Sequence, residues 1–180
     1  MDRKAVIDIG TNSIKLYVAE RASDGSLASV IDKNNIARLG EGMGDTGILQ
    51  PEAIARNAQA VAGFAELARA SGAQEIVAVG TMALRTAKNA ADFVAEVRSS
   101  SGIEVRVIPG EEEAELAYLA VLSGIGASAG RLAVCDVGGG STEFIFGGDA
   151  GIDRRFSINL GAVKVSDEHL ASDPPGPEQV

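Results

Sequence analysis

The sequence has few of the residues that carry the commonest catalytic and structural chemistry. It holds one cysteine, Cys135, and one histidine, His169. A lone cysteine excludes an internal disulfide and any zinc site built from several cysteines, and Cys135 reads as a residue packed in a strand. His169 falls in the polar stretch SDEHL and reads as a solvated helix residue, which sets histidine-dependent catalysis aside. The apolar runs are short and broken by charge, and the N-terminus leads directly into a strand. No transmembrane helix and no signal peptide are therefore expected, and the cytoplasm is the expected location. No run of five or more basic residues occurs, so the electrostatic footprint of DNA binding is missing. A P-loop pattern is also missing.

What is present is a chain of 180 residues with 46% hydrophobic content, enough for one domain and the start of another. Its 25 acids against 16 bases give a formal charge of −9. An anionic substrate would then need local help from metal ions or helix N-termini.

Two stretches share a pattern. VIDIGTNSIKLYVAE (6–20) and VCDVGGGSTEFIFGG (134–148) each place an aspartate at the end of an apolar strand, then a tight glycine-containing turn, then a second strand. The differences 136 − 8, 138 − 10 and 141 − 13 are all 128, so Asp8, Gly10 and Ser13 match Asp136, Gly138 and Ser141. Such a turn exposes successive backbone N–H groups, and glycine lets a phosphate oxygen approach them. Gly10, Thr11, Asn12 and Ser13, with Gly138, Gly139, Gly140 and Ser141, are the candidate phosphate cradle. Asp8 and Asp136 suit a hydrated Mg²⁺, which takes few carboxylates and keeps its waters. An ordinary tight hairpin explains either turn alone, whereas two copies in register favour a shared role. A pseudo-twofold arrangement would aim both turns at one cleft.

The first copy reads as strands Lys4–Ile9, Ser13–Glu20 and Leu27–Ala37, a glycine-rich crossover or mobile flap at GEGMGDTG, and a helix from Pro51 towards Gly72. A strand Ile76–Val79 and a helix start at Thr81 follow, then a helical segment Asn89–Arg98, a strand Glu104–Ile108 and a helix Glu111–Leu122. The order β-β-β-α-β-α-β-α predicts an α/β lobe with a mixed sheet, the order of a ribonuclease-H-like fold. SGIGASAG (123–130) reads as a hinge linker. A second copy then opens with three strands and a helix near Ala162. We expect a first lobe over 1–125 and an incomplete second lobe over 126–180, the N-terminal part of a longer protein.

Two further motifs bear on chemistry. In VGTMALR, Thr81 can cap a new helix and Arg85 can grip phosphate oxygens in bidentate fashion, or the pair is simply a capped helix with a solvated arginine. In PGEEEAELAY, three glutamates open a helix, where its dipole stabilises each acid by roughly 0.3–1 kcal/mol. Glu113 differs from its two neighbours in bordering a small, apolar surface, where a carboxylate can serve as a base towards water. Glu143, in STE, can join as metal ligand or water positioner.

These residues resemble the exopolyphosphatase/guanosine pentaphosphate phosphatase (Ppx/GppA) family of the actin, sugar kinase and heat-shock chaperone superfamily. The resemblance rests on IDIGTNS, GTMALR, GEEEA, DVGGGSTE and NLGAV in that order. It implies hydrolysis of the terminal phosphoanhydride of inorganic polyphosphate, or of pppGpp, with Mg²⁺ or Mn²⁺, in a cleft between two lobes of a parent that is a homodimer. By motif position Glu113 matches the family's catalytic base, Asp136 and Glu143 fall in the site, Asp8 is the first-lobe counterpart and Arg85 a phosphate contact. Glu115 departs from the pattern, since members often carry arginine there. The alternatives within the superfamily are an ATP-binding kinase-like module and a non-catalytic phosphate or nucleotide sensor. No membrane partner is expected.

Overall fold

In the N-terminal strands, burial alternates residue by residue. β1 (Asp2–Ile9) buries Ala5, Ile7 and Ile9, and β2 (Ile14–Arg21) buries Ile14, Leu16 and Val18, while Val6, Lys15 and Tyr17 between them stay exposed. Period-two alternation is what a strand with one covered face requires. The computed structural model describes residues 2–125, 130–148, 150–170, 172, 174 and 176, and the chain divides between Val107 and Ile108 into two units.

In the first unit β1, β2 and β3 (Leu27–Asn35) form the expected antiparallel meander. At its second turn Gly25 has φ +86°, and the Asp24 carboxylate accepts bonds from the Ser26 hydroxyl and amide. Those two bonds, the hydroxyl's first, hold the Asp24 carboxyl below the ordinary aspartate range. β4 (Glu75–Gly80) and β5 (Val105–Val107) add in parallel beyond β1, giving the order β3-β2-β1-β4-β5. α1 (Pro51–Ala70) opens with proline at its first position and turns Ala58, Val61, Ala65 and Ala68 to the core, small residues that let it lie close to the sheet. α3 (Ala90–Ser101) adds Phe93 and Val97. The crossover before α1 is tied down rather than free. It holds a short 3-10 turn, Gly44–Thr46, whose Thr46 carbonyl accepts from the Lys88 ammonium at 2.8 Å, while the Gln50 amide reaches the Gly42 carbonyl at 3.0 Å.

The second unit begins earlier than the sequence suggests. α4 (Gly110–Ile125), expected in the first lobe, packs instead on the antiparallel sheet of β6 (Leu132–Val137), β7 (Thr142–Gly148) and β8 (Gly151–Ile158). Ala114 and Tyr118 form a buried cluster with Ile145, flanked by Leu132, Val134 and Ile152. The boundary expected after 125 therefore lies before α4, because this apolar stripe finds its complement on the second sheet. The central residues of the expected linker, 126–129, lie outside the described residues. α5 (Ala162–His169) follows β8, and His169 is exposed at its last position.

The repeat is preserved in backbone and reversed in burial. Ile7, Ile9 and Leu16 are buried under α1 and α3, whereas their counterparts 128 residues on, Cys135, Val137 and Phe144, belong to the face that α4 leaves uncovered. Cys135 is in its strand as expected but exposed, and Val137 is 61% exposed. On the other face exposed Lys15 and Tyr17 correspond to buried Glu143 and Ile145. No helix among the described residues is long and apolar enough to cross a membrane.

Truncating Phe93, which is fully buried in the first unit, tests this core. Phe93→Ala is expected to cost about 3–5 kcal/mol, read as a lower urea midpoint at an unchanged m-value, and a loss below about 1 kcal/mol would contradict the packing described.

Candidate functional site

Each unit carries one of the two predicted turns, and the two have the same geometry. The Gly10 amide donates to the Ser13 carbonyl at 3.0 Å, and the Gly138 amide to the Ser141 carbonyl at 2.9 Å. The flanking registers match as well, with Ile9 opposite Ile14 and Asp8 opposite Lys15 in one, Val137 opposite Thr142 and Asp136 opposite Glu143 in the other. A Cβ on Gly10 would stand 3.0 Å from the Ser13 carbonyl oxygen, and one on Gly138 3.2 Å from that of Ser141. Both distances are tighter than ordinary packing, so the turns are closed around their first glycine.

The carbonyls of each elbow are held by the segment that follows the third strand. In the first, the amides of Gly40 and Arg38 donate to the carbonyls of Thr11 and Asn12 at 2.9 and 2.8 Å. In the second, the Ala162 amide donates to Gly138 at 2.9 Å, and the amides of Val163 and Lys164 both donate to Gly139 at 3.0 Å. Across a planar trans peptide, the carbonyl and the next residue's N–H point opposite ways. The amides of Asn12 and Ser13, and those of Gly139 and Gly140, therefore face away from the segments that hold them. Among the described residues none of these four donates to a backbone carbonyl. Two successive unclaimed amides aimed the same way form an anion-binding nest. The first-turn amides of α5 are spent on the elbow carbonyls, so α5 orients the elbow peptides.

Glycine is sterically required where these supports meet the elbows. A Cβ on Gly161 would run into the Gly139–Gly140 peptide, and one on Gly40 into the Thr11 methyl group. The motifs GEGMGDTG and NLGAV contain Gly40 and Gly161 without revealing this steric role. The signal was present as the dipeptide Leu-Gly, at 39–40 and 160–161, after the third strand of each copy.

In the first unit Asp8 sits half-buried near the end of β1, beside Val79 of β4. The Thr81 amide bonds the Ile9 carbonyl at 3.2 Å, which brings the start of α2 (Met82–Thr86) to the same sheet edge. Thr81 does not cap α2 with its side chain, correcting the sequence expectation. Its backbone φ of −111° and ψ of −139° place the residue outside the extended conformation usual for a helix cap. Gly80 packs against Leu84, leaving no space for a side chain, and Arg85 is half-buried on the short helix.

In the second unit Asp136, Glu143 and Ser157 lie side by side across β6, β7 and β8. Glu143 is 1% exposed and accepts a bond from the Ser157 hydroxyl at 2.7 Å. Asp136 is exposed. Glu115 pairs with Arg155, the register partner of Ile145, while Tyr118 meets Gly147 and Gly148 further along β7. α4 thus runs in the direction of β7, and its first turn, with half-buried Glu113, lies towards the elbow end of that strand. The Arg155 guanidinium, 3.1 Å away, also compensates the charge that sets Glu115 apart from the family pattern. Among the described residues no three histidine, cysteine or acidic side chains gather as a metal cage. A cation here would be held by single carboxylates and water, the manner of Mg²⁺.

Replacing Ala162 with proline tests the nest directly. The substitution removes the donor to the Gly138 carbonyl yet suits the first helical position and the extended Gly161 before it (φ −133°, ψ 162°). Ala162→Pro is expected to keep the helix while shifting and broadening the Gly139 amide resonance. An unmoved resonance would mean that this bond does not hold the peptide.

The comparisons with known proteins agree with this geometry. The Ppx/GppA phosphatase family model matches residues 17–180. Exopolyphosphatase 1 of Mycobacterium tuberculosis is 34% identical over 178 residues, covering 99% of this chain and 52% of that protein. An exopolyphosphatase structure from Cytophaga hutchinsonii superposes with a TM-score of 0.91 at 27% identity, over 98% of this chain and 56% of that one. The Aquifex aeolicus family member gives 0.80 at 35% identity, over 99% and 57%. The chain spans about half the length of the curated relatives it matches. With its repeated elbows, its mixed ribonuclease-H-like sheet and these relationships, the chain belongs to the Ppx/GppA phosphatase family.

Proposed function

We propose that this chain is the phosphate-binding and catalytic N-terminal portion of a phosphoanhydride hydrolase that releases terminal phosphate from inorganic polyphosphate or pppGpp. The observation that carries this reading is the pair of oriented amides in each elbow, unclaimed by any backbone carbonyl among the described residues. Phosphoryl transfer needs positioning and charge stabilisation more than covalent chemistry, and preorganised N–H donors supply both.

In this reading Gly139, Gly140 and Ser141 receive phosphate oxygens in the second unit, and Gly10, Thr11, Asn12 and Ser13 receive phosphate oxygens in the first, where Arg85 adds charge. Glu113 takes a proton from water as its oxygen bonds to the terminal phosphorus. The anhydride P–O bond breaks, the shortened chain leaves with the electron pair, and inorganic phosphate is released. Glu143, steadied by Ser157, directs the water. Asp8 in the first unit and Asp136 in the second each suit a hydrated Mg²⁺ or Mn²⁺, which would neutralise charge on the phosphates when bound. The active form is proposed to be a cytoplasmic homodimer without DNA or membrane partners.

By itself the chain is expected to turn over slowly, since its relatives supply nearly as much protein again. Phosphate release with Mg²⁺ should be compared for polyphosphate, pppGpp and ATP, using this chain and the longest form of the protein that carries it. Release from polyphosphate or pppGpp by the longer form supports the proposal, and release from ATP alone contradicts it. Glu113→Gln in that form should lower kcat by ~100-fold or more. Unchanged kcat would remove Glu113 from the role of base.

A further inference from the structure

Nine described residues have positive φ, and eight of them are glycines. The ninth is Arg38, at φ +50°. An L-residue is strained in this region because its Cβ crowds the backbone, and glycine occupies it freely. This chain uses glycine at the other positive-φ positions, including Gly42, Gly44 and Gly47 just downstream. At 38 an arginine is kept where a glycine would fit better, so the backbone does not explain the residue.

The location supplies the reason. The Arg38 amide donates to the Asn12 carbonyl at 2.8 Å, so this side chain springs from the residue that orients the Ser13 amide. The backbone here is fixed from behind. The Arg38 carbonyl accepts from the Arg56 guanidinium at 3.2 Å, and the Ala37 carbonyl from the same guanidinium and from the buried Asn57 amide, both at 2.8 Å. Ala37 and Leu39 are buried while Arg38 between them is exposed. In a chain with 25 acids, no acid among the described residues pairs with its guanidinium. Glu41, three residues on, is taken by Arg56 at 2.6 Å. A strained backbone held at a functional turn, carrying an uncompensated planar cation, fits strain retained for ligand binding.

We propose that Arg38 is a phosphate-binding residue of the first elbow, its guanidinium gripping the oxyanions of a phosphoanhydride chain beside the amides of Asn12 and Ser13. This rests on the proposed function and adds a residue to its site.

The test separates binding from folding because the two should move in opposite directions. Arg38→Gly relieves the strain and removes the cation, and Arg38→Asn, which tolerates positive φ, guards against any peculiarity of glycine. Binding of inorganic tripolyphosphate with Mg²⁺ is read from amide resonances of the ¹⁵N-labelled chain, and stability from the urea midpoint. The expected result is an unchanged or higher midpoint for Arg38→Gly with affinity weakened ~10-fold or more, and partial recovery in Arg38→Lys, which keeps charge but not the bidentate fork. Wild-type affinity in both Arg38→Gly and Arg38→Asn would overturn the assignment while leaving the elbows as phosphate sites. A lower midpoint with Asn12 and Ser13 resonances displaced before any ligand is added would reduce Arg38 to a structural role, overturning it likewise. Failure of the wild-type chain to shift any elbow amide would remove the phosphate reading and this residue with it.

Discussion

The organising constraint in this molecule is the planarity of the peptide bond at two glycine-containing turns. Once Gly40, Arg38 and the first turn of α5 hold the elbow carbonyls, the next amides have no choice of direction. A nest of this kind is made by the backbone alone and needs no side chain. Much of the rest can be read as support for those few peptides. The β1–β2 and β6–β7 ladders bring the turns to the end of a sheet, Arg56 and Asn57 fix the segment behind the first elbow, and Gly161 lets α5 approach the second.

These supports are themselves tied by hydrogen bonds. Asn57 is fully buried and divides its two amide hydrogens between the carbonyls of Ala53 and Ala37. Glu143 is buried yet bonded to Ser157, consistent with the rule that a desolvated polar group needs a partner. A net charge of −9 does not prevent local attraction of anions, because oriented amides act at close range while charges on exposed acids are screened.

Much of this was legible in the chain itself. The 128-residue repeat located both turns, and the alternation Ala5, Ile7, Ile9 with Ile14, Leu16, Val18 identified the strands and their buried face. The membership of α4 was not legible. Its stripe of Ala114 and Tyr118 states that one face must be covered, and either sheet would satisfy that pattern. The conformation of Arg38 is hidden for a related reason, since the letter gives no hint of its φ. Thr81 reads as a helix cap, but the backbone bond to Ile9 sets its dihedrals and overrides the local preference.

By itself the order of residues determined the strands, the helices, the doubled turn and hence the family, since each depends on neighbours within a few positions. Only tertiary structure decided which helix covers which sheet, why Glu143 is buried where its counterpart Lys15 is exposed, and in which direction the elbow amides point. Those outcomes depend on groups far apart in sequence, Gly161 against Gly139 or Gly40 against Thr11. Local pattern records what a face or a peptide requires, and the long-range fold supplies the partner that meets the requirement.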